Sequence, residues 1–258
     1  MKIKSYHKNS DYSYTLGVFE TIEALHHSPA IVRQVLLHRK ALENNRGCKQ
    51  IMDLCEQHHI PCDEDTNCIT RLSKKDNCYA VALLDKQYQP LDPDQNHIML
   101  VHPSNMGNMG TILRTMLGFG YHDLAIIKPG VDVYDPKVIR ASMGAIFSVR
   151  ITYFDSFDSY QKQYPTHHMY SLMLQGASNI HQVQPGHTNH TLIFGNESSG
   201  LPEEYATYGD TIFIPHSDQI DSLNLSIAVA LTMAHFSQAQ FDTMTSLLSN
   251  EIDNTEKM

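Results

Sequence analysis

Five polar side chains in three separated segments have the types and spacing to do chemistry. Asn108 and Arg114 lie six residues apart, Glu197 follows a glycine-asparagine pair, and Ser222 and Asn224 flank a single leucine. Amides and hydroxyls hold polar substrates by hydrogen bonds, and a guanidinium binds phosphate or stabilises negative charge that develops during a reaction. The set therefore favours chemistry on a hydroxyl or an anionic group.

Each of these side chains also has a purely structural interpretation, which the sequence leaves open. Arg114 lies on an otherwise apolar predicted helix, where it can extend to the surface or pair with a carboxylate. Glu197 can be a carboxylate near a helix N-terminus. Ser222 and Asn224 can be helix caps and nothing more.

The loops that carry these residues lack the familiar motifs of two enzyme classes. A Gly-x-Ser-x-Gly elbow centred on Ser198 would require glycine where Asn196 stands, which disfavours a serine hydrolase. The glycine-containing loop after Val101 has neither Gly-x-Gly-x-x-Gly nor a terminal Lys-Ser/Thr pair. The common phosphate-binding loops are therefore absent from this position.

The stretch from His97 to Gly120 organises the larger part of the chain. The apolar run 97–101 predicts a buried strand, two Asn-Met-Gly triplets predict a loop, and a helix is predicted from Thr111. Further strands alternate with helical segments, which predicts an α/β fold with an open, mostly parallel sheet and helices on both faces. The strands are predicted at Leu124 to Ile127, Ser148 to Tyr153, Met169 to Leu174 and Thr191 to Phe194, about five in all, with a helix at Pro136 to Met143.

Ligands bind such sheets outside the carboxyl ends of the parallel strands. The loops after Val101, Phe194 and Ile214 are therefore expected at one edge of the sheet. The last of these leads into a helix, Leu225 to Phe236, that is apolar on nearly every side. One sheet face cannot cover such a helix, so its remaining surface predicts a subunit interface.

The first third of the chain predicts a small α/β module. Ser13 to Leu25 and Lys49 to His58 have helical spacing, and Ile31 to Leu37 and Tyr79 to Leu84 are typical of strands. The segment Gln87 to Asn96 has two prolines and no periodicity, so it is the best candidate for a linker. We therefore predict two domains, residues 1–90 and 96–258.

Charge is divided unevenly between these two parts. Residues 1–92 hold 12 Lys or Arg and 12 Asp or Glu, whereas residues 93–258 hold 7 against 16, which accounts for the whole net charge of −9. Nucleic-acid binders usually expose a basic patch, because phosphate neutralisation supplies much of their affinity. Composition alone therefore does not indicate a polyanionic partner.

Composition also bears on metals and location. The five cysteines form no Cys-x-x-Cys pair, and an odd count favours reduced thiols. Cys48, Cys55 and Cys62 are spaced by seven, but Pro61 breaks any helix that would align them, and the sixteen histidines are scattered, so no metal site is expected. No apolar run approaches the ~20 residues of a membrane span and the N-terminus has no signal core, so we expect a cytoplasmic protein.

Three segments, NMGTILR at 108–114, GNESSGL at 195–201 and IPHSDQIDSLNLSIA at 214–228, resemble the ordered motifs of the TrmH (SpoU) family of RNA ribose 2′-O-methyltransferases, in the SPOUT superfamily. The leading region, through Lys75-Asp76-Asn77-Cys78, is similar to the L30e-like substrate-binding domain of many members. The resemblance implies a catalytic domain with a deep trefoil knot and a homodimer. It also implies S-adenosyl-L-methionine as cofactor and RNA as substrate, with rRNA favoured over tRNA.

The resemblance also assigns residues position by position. The implied catalytic residues are Asn108, Arg114, Glu197, Ser222 and Asn224. The implied cofactor contacts, made through the backbone, are near Gly195, Ile214, Pro215 and Leu223. The sequence departs from the family pattern at two places. Asn105 in Pro103-Ser104-Asn105 resembles the usual Pro-x-Asn lead-in, so it competes with Asn108 for the position of the motif asparagine. His216 stands where the family usually has a small or hydrophobic residue.

Methyl transfer to a ribose hydroxyl requires close positioning of the reacting groups and removal of one proton. The resemblance gives Arg114 the task of activating the hydroxyl. A guanidinium normally stays protonated, so an alternative is that it grips the adjacent phosphate and stabilises the developing alkoxide. Both interpretations stay open at this point.

Three hypotheses follow from the sequence. The first is an RNA 2′-O-methyltransferase, the second a catalytically silent RNA-binding protein of the same fold, and the third an unrelated nucleotide-binding α/β enzyme that would bind ATP or NAD. The presence of all five polar residues together favours the first. A protein that only binds RNA has no physical need to keep them all.

Overall fold

A computed structural model describes residues 3–42, 45–73, 77–174, 177–184, 186 and 189–238. Residues 74–76, part of the segment that resembles the small N-terminal domain of the family, lie outside the described residues. Residues 239–258, the end of the predicted catalytic domain, lie outside them as well.

The described residues between 12 and 85 include a four-stranded sheet with helices packed on it. The elements are β1 (Tyr12–Tyr14), α1 (Val18–His27), β2 (Val32–Leu37), α2 (Arg39–Leu42), α3 (Arg46–Gln57), β3 (Cys62–Glu64), α4 (Thr66–Leu72) and β4 (Ala80–Asp85). The strand order is β1-β4-β2-β3, in which β4 is antiparallel to both neighbours and β3 is parallel to β2. The predicted small α/β arrangement is therefore present.

The rest of the described chain forms a seven-stranded sheet. Its elements are β5 (His97–Val101), α5 (Met106–Gly118), β6 (Asp123–Ile127), α6 (Pro136–Ala141), β7 (Arg150–Phe154), α7 (Phe157–Gln161), β8 (His168–Leu172), β9 (Ser178–Asn179), β10 (His190–Phe194), β11 (Asp210–Phe213) and a final helix, α8, residues 225–238. The strand order is β7-β6-β5-β10-β8-β11-β9, and every neighbouring pair is parallel. The predicted α/β fold with a parallel sheet is confirmed.

The central strands β5 and β10 are buried at every position, as expected where helices cover both faces of a sheet. Successive residues of a strand point to opposite faces. Ile98 and Leu100 accordingly join one apolar cluster, whereas Met99 and Val101 join a second. The two clusters hold the sheet between them and fix the strand ends that carry the polar loops.

The first apolar cluster continues from the large sheet into the N-terminal sheet. Leu25 of α1 belongs to the same cluster as Phe147 of the large-sheet region. Hydrogen bonds cross the same boundary, because the Ser13 hydroxyl donates to the Tyr134 carbonyl over 2.5 Å and the Ser28 hydroxyl donates to the Phe147 carbonyl over 2.9 Å. The two sheets therefore share one apolar cluster.

The segment predicted as a linker, residues 87–96, contains no helix or strand. It is nevertheless tied to the large sheet at several points. The Asp92 carbonyl lies 2.8 Å from the His97 ring and the Pro93 carbonyl lies 2.9 Å from the His167 ring. Leu91 is buried. These contacts hold the connection against the sheet along its length.

Two predicted helices begin at other residues in the structure. The predicted helix from Ser13 to Leu25 was wrong at its start, because Tyr12–Tyr14 is a strand and the helix begins at Val18 after Gly17. The predicted start of α5 at Thr111 was also wrong, because α5 begins at Met106. Both Asn-Met-Gly triplets thus lie at the start of the helix rather than in a loop.

The large sheet has seven strands rather than about five. The short strands β9 and β11 are polar in half or more of their residues, so apolar runs do not reveal them. No described helix is long and apolar enough to cross a membrane. The five cysteines carry free thiols, and no cluster of metal-ligating side chains was found among the described residues.

Candidate active site

Asn105 and Asn108 have different roles at the start of α5. The Asn105 side-chain oxygen caps the helix, accepting from the amides of Gly107 at 2.8 Å and Asn108 at 3.0 Å. The Asn108 side chain bonds two other loops, because its Nδ2 donates to Glu197 Oε1 over 3.2 Å and its Oδ1 accepts from Asn224 Nδ2 over 3.2 Å. Asn108 therefore joins all three predicted polar segments, whereas Asn105 shapes the helix end.

The Glu197 carboxylate is surrounded by donors from the loop after β5. It accepts from the Ser104 amide at 3.1 Å, the Ser104 hydroxyl at 2.9 Å and the Asn105 amide at 3.1 Å, besides Asn108. Burial alone would raise the pKa of Glu197, but hydrogen bonds from its own backbone, Ser104 and Asn105 outweigh burial and lower it. Glu197 is therefore an ionised acceptor that orders the neighbouring loop.

Arg114 lies on α5, and its side chain is exposed. Its neighbours Ile112, Leu113 and Met116 are buried, so the helix is anchored while the arginine faces solvent. Within the described ranges, no hydrogen bond or ion pair engages the guanidinium. The interpretation that Arg114 pairs with a carboxylate finds no support there, and the guanidinium is available to a ligand.

Asn224 and Ser222 differ in what they contact. The Asn224 side-chain oxygen accepts from the amide and hydroxyl of Ser226, at 2.9 and 2.7 Å, while its nitrogen donates to Asn108. Asn224 therefore caps α8, as predicted, and also links that helix to α5. Ser222 is exposed and lines a cleft next to these groups.

A cleft of about 600 Å³ opens beside the joined loops. It lies between the segments that follow β8, β10 and β11 and the start of α8, and its volume is typical of small-molecule sites. The predicted cofactor residues Gly195, Ile214 and Leu223 line it, whereas Pro215 is exposed and outside the lining. Its apolar lining includes Leu172, Phe194, Leu225 and Ala228.

The loop after β10 brings backbone close to backbone at the cleft wall. A Cβ on Gly195 would lie 2.1 Å from the carbonyl carbon of Gly200, so only glycine fits. Asn196 and Gly200 exchange backbone hydrogen bonds of 3.2 and 3.0 Å, which close the loop. On the loop after β11, the His216 ring lies 2.8 Å from the Ile214 carbonyl, so this unusual residue folds back on its own loop.

Sequence reasoning missed two residues of this network, Ser104 and Asn196. Ser104 supplies two of the hydrogen bonds to Glu197, and the Asn196 side chain donates to the His102 carbonyl over 2.7 Å. Ser104 could have been found because its amide is the first backbone N–H donor after Pro103, at the end of a strand where ligands bind. Asn196 offered no comparable signal, because no proline next to it marks its side chain for a contact.

The profile of the SpoU rRNA Methylase family matches residues 95–234, which is more than half of the chain. The chain belongs to this family. The matched range includes all three SpoU motif segments and all of the polar residues that meet beside the cleft. The resemblance of these three segments to the SpoU family is therefore confirmed.

Individual relatives agree with the family match. A Listeria innocua protein assigned as a tRNA (cytidine(34)-2′-O)-methyltransferase is 32% identical over 142 residues, 53% of this chain and 83% of that protein. The 23S rRNA (uridine(2479)-2′-O)-methyltransferase of Streptomyces viridochromogenes is 29% identical over 154 residues, 54% of this chain and 51% of that protein. The crystal structure of the SpoU methyltransferase AviRb from that organism, in complex with the cofactor AdoMet, has the same fold, with a TM-score of 0.77 at 21% identity over 90% of this chain and 92% of that chain.

Proposed function

We propose that this chain is an S-adenosylmethionine-dependent RNA methyltransferase that transfers a methyl group to a ribose 2′-hydroxyl. The observation that carries this proposal is the chain of hydrogen bonds from Glu197 through Asn108 to Asn224, which lies beside a cleft of about 600 Å³ at one sheet edge. Membership of the SpoU family and relatives named as RNA 2′-O-methyltransferases support it.

The cleft fits S-adenosylmethionine, which supplies the transferred methyl group. Apolar side chains such as Phe194 and Leu225 suit the adenine ring, and the close backbone approach at Gly195 leaves peptide groups at the wall. We propose that Gly195, Ile214 and Leu223 hold the cofactor through backbone groups. The trefoil knot implied by the resemblance is part of the same proposal.

The remaining polar residues act on the RNA side of the reaction. Asn108 and Asn224 offer amide groups that orient a ribose hydroxyl, and Glu197 keeps both loops in place. The unpaired guanidinium of Arg114 grips the phosphate next to the target ribose and stabilises the charge that develops on the oxygen.

Mapping of ribose methylation by mass spectrometry tests the proposed function. RNA from cells that lack the protein should lose 2′-O-methylation at a defined nucleotide, and expression of the wild-type chain should restore it. Unchanged methylation together with tight RNA binding would favour a silent RNA-binding protein. Binding of ATP or NAD instead of S-adenosylmethionine would favour the unrelated nucleotide-binding enzyme.

We propose rRNA as the substrate class. The matched 142 residues make up 83% of the Listeria tRNA methyltransferase, which leaves little room in that protein for the N-terminal sheet of this chain. By contrast, the 154 residues that match the rRNA methyltransferase of Streptomyces viridochromogenes make up only 51% of that protein, which leaves room in it for a further module.

We further propose that residues 1–90 form an RNA-capture domain and residues 96–258 the catalytic domain. Four cations on the adjacent helices α2 and α3 are exposed, and none forms an ion pair with a described residue. They are Arg39, Lys40, Arg46 and Lys49. Such a group neutralises phosphates even though the chain as a whole is acidic.

Charge reversal is a better test of RNA capture than truncation of residues 1–90. The two sheets share an apolar cluster, so removal of the N-terminal sheet would expose apolar surface on the other. Arg39→Glu with Lys40→Glu should raise the KM for RNA at least about tenfold and reduce the salt dependence of binding, since phosphate contacts are lost. Cofactor affinity should not change. The control, Lys4→Glu with Lys8→Glu, makes the same charge change elsewhere, and an equal effect there would contradict the capture role.

We propose a homodimer formed through α8. Ile227 and Leu231 are 50% and 46% exposed and lie four residues apart, so they share one face of the helix. Sedimentation should give two chains, and Ile227→Asp with Leu231→Asp should give one. Phe19→Asp, at an exposed apolar residue of α1, is the control that should stay dimeric. A wild-type monomer that binds cofactor tightly would contradict the proposal.

A further inference from the structure

His102, the first residue after β5, has an uncommon backbone conformation. Its φ is +52°, in the left-handed region that favours glycine and is disfavoured for other residues. Its amide donates to the Ile127 carbonyl over 3.1 Å, and its carbonyl accepts from the Asn196 side chain over 2.7 Å. The surrounding structure therefore holds this residue on both sides, as a strained position requires.

The turn at His102 decides where the following residues go. Pro103 is buried, and its carbonyl accepts from the Val131 amide over 2.8 Å. The next two amides, of Ser104 and Asn105, then both reach the Glu197 carboxylate at 3.1 Å. A relaxed turn would send this segment in another direction and would remove these donors from the carboxylate.

The Asn196 side chain lies between the two loops and uses both of its ends. Its nitrogen donates to the His102 carbonyl and lies 3.4 Å from Glu197 Oε2. Its oxygen accepts from the amides of Ser198 and Ser199, at 2.9 and 3.3 Å. The oxygen thus orders its own loop, and the nitrogen faces the loop after β5.

We propose that Asn196 is a positioning residue that holds the left-handed turn at His102 and thereby sets Ser104 and Asn105 against Glu197. Asn196 does not itself need to touch the RNA. Its effect on turnover rests on the methyltransferase function proposed above, whereas the coupling between Asn196 and His102 is a property of the fold alone.

The competing interpretation is that Asn196 only orders its own loop. Asn196→Asp keeps an oxygen for the Ser198 and Ser199 amides but has no N–H for the His102 carbonyl or for Glu197 Oε2, and it adds a negative charge beside that carboxylate. The repulsion from Glu197 is the same whichever residue stands at position 102, so the change in the loss caused by His102→Gly separates the two possibilities. His102→Gly is the second substitution of the experiment, because glycine adopts a positive φ without a hydrogen bond from a neighbouring loop. The two substitutions are expected to be coupled if the turn is what Asn196 holds.

The experiment is a double-mutant cycle on the full-length protein. Asn196→Asp should lower kcat about tenfold or more while the KM for RNA changes little, and the loss should be at least about threefold smaller in the His102→Gly background, where only the altered contact with Glu197 remains. His59→Gly is the matched control, because His59 also has a positive φ, of 56°, but lies in the N-terminal module. The loss caused by Asn196→Asp should be the same with and without His59→Gly.

Urea unfolding of the same variants gives a readout that does not depend on activity. Asn196→Asp should lower the free energy of unfolding less when residue 102 is glycine, or when it is asparagine, which tolerates the left-handed region. Equal effects of Asn196→Asp in all three backgrounds, on both kcat and unfolding, would overturn the proposal. A wild-type protein that methylates no RNA would refute the proposed function, and the unfolding cycle would still decide the role of Asn196.

Discussion

Arg114→Ala is expected to lower kcat for RNA methylation by about 10²- to 10³-fold, the loss typical of removing one group that stabilises charge in a transition state. The guanidinium is exposed and unpaired among the described residues, and it lies on the helix whose first turn joins the three polar loops. Cofactor affinity should hardly change, because Arg114 does not line the cleft. Single-turnover methylation and calorimetric titration of S-adenosylmethionine measure the two quantities.

Arg114→Lys distinguishes how the residue acts. If Arg114 grips phosphate and stabilises charge, lysine should keep part of the activity, because it supplies a point charge without the planar fork. If Arg114 removes a proton as a base, the rise of the rate with pH should move to lower pH in Arg114→Lys, toward the lower pKa of lysine, provided chemistry limits the rate. A large loss of cofactor binding in Arg114→Ala, with folding intact, would contradict the proposal that Arg114 contacts the RNA and not the cofactor.

The meeting of the polar loops could be predicted because it follows from topology. The carboxyl ends of parallel strands lie at one edge, so the loops after β5, β10 and β11 had to come together. The contacts of Asn108 with Glu197 and Asn224 are the outcome. The sequence alone did not decide between Asn105 and Asn108, because the choice depended on which one caps α5.

Other parts of the site depend on geometry that no local pattern contains. The strained turn at His102 and its contact with Asn196 join residues 94 positions apart. The N-terminal boundary of α1 was missed for a different reason, since the helical spacing of Ser13 to Leu25 includes residues that Gly17 separates from the helix. Apolar periodicity predicts elements well, but it does not predict which polar groups meet.

The histidines illustrate the same limit. They are scattered in the sequence, yet the fold collects several at the amino ends of the central strands, opposite the candidate active site. The rings of His97 and His167 lie 4.3 Å apart between centroids, and His190 bonds the Tyr121 hydroxyl at 2.8 Å. These rings bond neighbouring hydroxyls and carbonyls, and no metal-ligating cluster was found among the described residues.

Two of these histidines are buried as neutral rings, and their protonation at low pH destabilises the fold. Burial, together with neighbouring histidines, lowers the pKa of His97 and of His190 to about 4, from an ordinary value of 6.5. The neutral His97 ring fits its site, because one nitrogen faces the Tyr160 hydroxyl at 2.7 Å and the other faces the Asp92 carbonyl at 2.8 Å. The nearby charges of Asp123 and Arg150 are paired with each other.

The protein is therefore expected to lose stability as the pH falls from about 6.5 to about 4. In this range the unfolded chain binds protons at both histidines before the folded chain does. The contribution of the two neutral histidines to the free energy of unfolding is therefore fully present above pH 6.5 and is lost as the pH falls toward 4. For each histidine, the pKa difference between the folded and unfolded chain lowers the free energy of unfolding by about 3 kcal/mol at pH 4. This loss is large beside the total free energy of unfolding of about 5–15 kcal/mol that is typical of folded domains. Urea unfolding at a series of pH values measures this loss.

The slope between pH 6.5 and 5 reports mainly the histidines, because most carboxylates titrate at lower pH. Glu20, whose pKa is raised by burial, contributes equally in wild type and in a histidine variant. His190→Gln should reduce that slope by about one proton per molecule, whatever it does to stability at neutral pH, because it removes one of the two titrating groups. His26→Gln, at an exposed histidine of α1, should leave the slope unchanged. An equal slope in wild type and His190→Gln would mean that His190 binds its proton at the same pH in the folded and the unfolded chain, and that burial does not lower its pKa.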